Sequence, residues 1–164
     1  MKPVELNIND YHDVIKTFHK ETDRAAAVLA GSLIENFLAS YLRSGMVDDK
    51  IVDELFVGFG PLADFKKRIE TAYAFGFIEK QVHRDLTLIA KIRNHFAHHP
   101  LTTSFEMSPV SNWCLELSTK NIYPIEGQQP DARMDNRHRY LIAVGLCVLQ
   151  WNKLIVENDK RKHA

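Results

Sequence analysis

"EKQVHRDLTLIAKIRNHFAHHP", residues 79–100, decides the fold. Val82, Leu86, Ile89, Arg93 and Phe96 recur at three- and four-residue steps, the period of one helix face, and Pro100 blocks a further turn. The spacing predicts a helix over 79–98. The content of its last two turns is unusual, because Arg93, Asn94, His95, His98 and His99 crowd into one helix end.

The same period continues on both sides. Upstream, "NDYHDVIKTFHKE" reads as a lead-in helix within 1–20. The segment 22–44 carries Ala26, Leu29, Leu33, Phe37 and Tyr41 as a stripe ended by Gly45. "DDKIVDELF" predicts a short helix from Asp48. Pro61 then stands where a first-turn proline belongs, ahead of a stripe of Leu62, Phe65, Ile69, Ala72 and Tyr73. Downstream, "SPVSNWCLEL" predicts a short helix with a serine cap and Pro109 just inside it. Residues 120–132 read as loop. A last helix over 134–159 buries Tyr140, Val144, Leu146, Cys147, Trp151 and Leu154, and 160–164 is a charged, fraying tail. No segment sustains the two-residue alternation of a strand. The expectation is one all-α domain over 1–164, a bundle of about five or six helices.

Composition narrows the function classes. The chain has 164 residues, 45 % of them hydrophobic, which suits one core. Its 21 lysines and arginines balance 21 aspartates and glutamates, so no broad positive field is available and direct binding to duplex DNA is disfavoured. No basic recognition helix follows a tight turn. Cys114 and Cys147 lie in apolar contexts without paired spacing, as in a reduced, cytoplasmic protein. The apolar run "YLIAVGLCVLQW" is too short to span a bilayer, and the N-terminus lacks a signal-peptide core. "GFGPLAD" lacks the lysine and hydroxyl residue of a phosphate loop, and Ser-His-Asp or Cys-His catalysis has no support. No cofactor and no metal is expected.

The polar cluster admits three readings. It can be a polar helix terminus, with histidines near the negative end of the helix dipole and Arg93 reaching to water. It can be a metal site on His95 and His99, four apart, although the glutamate of HExxH is missing. It can also be catalytic: a histidine moves a proton, an arginine stabilises charge developing on phosphate, and Asn94 orients either group. Arg93 and His98 differ by about 140° around a helix. A catalytic site would therefore need two copies of this helix to meet in a homodimer. Glu35 in "SLIENFL" could hold the Arg93 guanidinium. Arg133, Arg137 and Arg139 in "DARMDNRHRY" could touch RNA phosphates, or simply form a solvated face.

The spacing Arg93, Asn94, three residues, His98 resembles the RNxxxH signature of the HEPN superfamily. That resemblance implies a dimeric helical bundle with metal-independent endoribonuclease activity centred on Arg93, Asn94 and His98. A longer resemblance runs through "GFGPLADFKKRIETAYAFGFIEKQVHRDLTLIAKIRNHFAHH", "SFEMSPVSNWCLEL" and "NRHRYLIAVGLCVLQW". Together these are similar to the mannitol operon repressor (MltR) family over most of the chain from about residue 23 to 154. This implies an all-helical regulator that acts in transcriptional repression through a protein partner, without a DNA-binding module. The two resemblances leave two functions open, a regulatory interaction module and a ribonuclease acting on RNA.

Overall fold

The computed structural model describes residues 8–99, 101–121 and 134–163. Among them the chain is all-α. The helices are α1 (Ile8–Lys20), α2 (Asp23–Ser44), α3 (Lys50–Phe56), α4 (Phe65–Ala74), α5 (Lys80–His98), α6 (Val110–Glu116) and α7 (Asn136–Lys162), with a single 3-10 turn at Ser118–Asn121. The helical expectation holds, divided into more pieces than five or six.

Short polar side chains set most of the helix starts. Thr22 accepts from the Ala25 amide, Asp49 from Ile51, Asp64 from Lys67 and Asp135 from His138, each satisfying a donor that the first turn leaves open. The hydrogen bond from Lys67 also holds the Asp64 carboxyl below its usual pKa. Helix α4 therefore begins at Phe65, four residues after Pro61. The cause lies in the preceding turn: the Leu62 amide donates to Leu55 O at 2.8 Å and the Leu62 side chain is buried, so the chain folds back on α3 before it can start α4. Pro109 occupies the cap position of α6, where no side-chain cap bond forms, so the expected serine cap is absent. Helix α7 runs to Lys162, past the expected end at 159.

Helix α2 lies at the centre, packed on α7, α5, α4 and α1. Its buried residues are Ala26, Ala27, Ala30, Gly31, Ile34, Leu38 and Leu42. The expected stripe is thus displaced around the helix: Leu29 is 48 % exposed, and Leu33, Phe37 and Tyr41 are half-buried. Helix α2 is apolar on more than one side, so periodicity could not choose which side faces inward. The small residues decided it, because Ala27, Ala30 and Gly31 let neighbouring helices approach closely. The same holds on α7, where Leu141, Val148 and Ile155 join the core while Leu146 is 47 % exposed. On α4 Tyr73 faces outward, and Arg68 takes the buried place beside Phe65, Ile69 and Ala72. Each fully buried leucine or isoleucine contributes about 1.5–3 kcal/mol.

By length and composition alone α2 and α7 could cross a membrane. They are also the pair in most extensive contact, each about half buried inside the bundle.

Candidate functional site on helix α5

Arg93 turns inward on α5. Its stem lies across α2 at Gly31, so closely that a Cβ on that glycine would come within 2.5 Å of Arg93 Cγ. The guanidinium then reaches Glu35, one turn further along α2, with Nη2 donating to Oε2 at 2.6 Å. Its carbon also lies 5.8 Å from the centre of the Phe65 ring on α4. Both partners of the ion pair are 23 % exposed at the side chain, so the pair is neither dry nor freely solvated.

A second guanidinium shares the carboxylate. Arg68 Nη1 stands 3.6 Å from Glu35 Oε1, while Nε donates to Leu62 O at 2.7 Å and Nη2 to Ala63 O at 3.0 Å. Burial pulls the Arg68 pKa down from its usual value, and the charge of Glu35 opposes that pull. One carboxylate therefore offsets two cations where α2, α4 and α5 meet. Arg93 Nε is buried with no hydrogen-bond partner among the described residues.

Asn94 and His98 are exposed, one turn apart on the outer side of α5. The structure brings Arg93 to Glu35 and leaves Asn94 and His98 facing away from that pair. His95 and His99 do something else. Their rings stack at 4.3 Å, and His95 meets the Trp113 indole edge-on at 5.5 Å, under a Lys91 ammonium 4.4 Å from the same ring centre. Burial, and then the neighbouring His99, lower the His95 pKa. His95 is thus a half-buried link between α5 and α6 and not only part of a polar helix terminus.

The arginines at the start of α7 also have structural work. Arg137 donates to Asp23 Oδ1 at 3.1 Å and to the carbonyls of Phe18 and Glu21, binding the end of α1 to the start of α2. Arg139 Nε donates to Met134 O at 3.1 Å. Arg133 lies outside the described residues.

Three residues of the core network escaped sequence reasoning. Gly31 had a signal, since a glycine inside a long apolar helix costs stability and calls for a packing reason. Arg68 had one too, at helical spacing from Phe65 and Ala72. Asp85 had none: its carboxylate is buried and accepts from the Ser118 amide at 3.0 Å, the Ser118 hydroxyl and Gln81 Nε2, tying α5 to the 3-10 turn.

The sequence profile of the MtlR, or mannitol repressor, family matches residues 9–151. Among solved structures, this chain is similar to one in the X-ray structure of the MtlR–HPr complex from Escherichia coli. The two are 25 % identical, with a TM-score of 0.53, and the match covers 90 % of this chain and 97 % of that one. No curated protein matches.

Proposed function

The chain belongs to the mannitol repressor family, and from that membership we propose that it is a regulatory protein that works by binding another protein. The observation that carries this reading is the likeness, over 90 % of the chain, to a chain found in a complex with HPr. The protein acts as a dimeric, cytoplasmic, all-helical interaction module in transcriptional repression, without a DNA-binding helix of its own. The use of Arg137 within the fold supports the last point, because its guanidinium is engaged by Asp23 and by the carbonyls of Phe18 and Glu21.

Titration of purified HPr into the protein tests the reading. Saturable binding, together with loss of repression of a reporter operon when the binding surface is altered, is the expected result. Absence of binding with both proteins folded overturns it.

A metal-independent endoribonuclease is the second reading. It rests on the exposed Asn94 and His98, which two copies of α5 could present to one RNA strand. The engagement of Arg93 with Glu35 counts against it, since a guanidinium held by a carboxylate is not free to stabilise a phosphorane. RNA incubated in EDTA with wild type, Arg93→Ala and His98→Ala tests it. Cleavage lost in both variants supports the enzyme, and intact RNA throughout removes it.

A further inference from the structure

The most exposed large apolar side chain among the described residues belongs to neither reading. Phe59 has 108 % relative exposure, so its whole ring lies in water and contributes no packing to the fold. It is nevertheless held firmly. Gly58 adopts φ +58°, a left-handed conformation that side chains resist, and reverses the chain directly after α3. Gly60 then lies against the end of α3: a Cβ there would come within 2.4 Å of the Glu54 and Leu55 carbonyl oxygens. The Gly60 amide donates to Val57 O at 2.9 Å, and buried Phe56 and Leu62 anchor the turn at either side. A rigid two-glycine turn thus presents one aromatic ring to solvent.

The same stretch of chain carries further exposed groups. Val47, Ile51 and Val57 are each at least 60 % exposed within the same stretch. Between them Asp48, Asp49, Asp53 and Glu54 are exposed beside Lys50, four carboxylates against one lysine, a net −3 over 47–60 in a chain of formal net charge zero. Among the described residues only Asp53 of these has an ion-pair partner, Arg43.

From this arrangement we infer that residues 47–60 form a docking knob, with Phe59 as its anchor, for a protein that offers an apolar pocket rimmed by lysines or arginines. The inference rests on the partner-protein reading above and locates its surface. An aromatic side chain has only two rotatable angles, and here its backbone is already set by the turn, so it enters a pocket at low entropic cost. The carboxylates of the same stretch that have no ion-pair partner among the described residues select a cationic rim and speed encounter at low salt.

The probe is HPr, titrated into wild type, Phe59→Ala and the double variant Asp48→Asn/Glu54→Gln. Phe59→Ala is expected to keep the wild-type melting temperature and to weaken binding tenfold or more. The double variant is expected to weaken binding several-fold and to flatten its salt dependence. If HPr binds wild type and Phe59→Ala equally, the knob is overturned while the partner-protein reading stands. If HPr binds neither, both fall. If Phe59→Ala instead dissociates a homodimer in sedimentation and leaves HPr binding unchanged, the surface is self-associating and the inference is overturned.

Discussion

Gly31 on α2 and Arg93 on α5 fit against each other because one of them has no side chain: the Arg93 stem occupies the space that a Gly31 Cβ would fill, 2.5 Å from Cγ. Tyr140 stands on the same spot, its hydroxyl 3.1 Å from that position and donating to Ala27 O at 2.8 Å. Gly31→Ala gains about 1 kcal/mol of helix propensity. It also incurs the larger cost of overpacking, about 1–3 kcal/mol. The expected net loss is therefore up to about 2 kcal/mol, read by urea denaturation. Equal or greater stability would show that Arg93 can leave its place at no cost.

Glu35→Gln keeps the shape and removes the charge that two guanidiniums share. Partial exposure lets water recover some of the loss, so the expected cost is about 1–3 kcal/mol, below that of breaking a fully buried pair. A double-mutant cycle with Arg93→Met should return a coupling energy of the same sign. Additivity of the two single variants would deny the interaction.

Asp85→Ala should cost more, about 2–4 kcal/mol, because it removes a buried carboxylate with three hydrogen bonds and leaves the Ser118 donors unpaired. Hydrogen exchange should locate the loosening at the 3-10 turn and at the end of α6 nearest it.

Both thiols should be inert in the native protein. Burial pushes the pKa of Cys114 and of Cys147 up to about 12, so near neutral pH almost none of either is thiolate. Ellman's reagent is expected to titrate no cysteine in the folded protein and two after denaturation. Prompt reaction of the native protein would place one thiol at the surface.

Acid should loosen α1. His138 Nδ1 and His19 Nε2 lie 3.2 Å apart, a contact that needs one ring to donate and the other to accept. Burial first, then His138 and Arg137, lower the His19 pKa below its usual 6.5, while Asp135 acts the other way. A lowered pKa means that the folded state binds fewer protons than the unfolded one. The contribution is therefore complete above about pH 6.5 and is lost as pH falls through the folded value. The melting temperature should drop on going from about pH 7.5 to about pH 5.5, and drop less in His19→Gln. An equal drop in the variant would assign the effect to other groups.

The helices of this protein were legible in its residues because helix formation is a local matter. Three- and four-residue spacing, an aspartate or threonine before a periodic run, and a proline or glycine after it are all read within a few positions. The cluster in "IRNHFAHHP" could likewise be picked out as the place where polar groups gather. Its internal geometry could not, because Arg93 lies about sixty residues from Gly31 and Glu35 on α2: Glu35 could be offered as a partner, but the seat that Gly31 leaves for the arginine stem is visible only once the two helices pack.

The all-α class, the approximate helix limits and the family are all readable from the residues, since local periodicity and long segment likeness carry them. Tertiary structure alone decided which side of α2 and α7 is buried, because small residues governed how closely the helices approach. It alone added Arg68 to the Glu35–Arg93 pair that the sequence had offered, and set His95 against Trp113. It also left Phe59 in water: an apolar side chain is assigned to a core by pattern, and only the fold shows that the turn carrying it points outward.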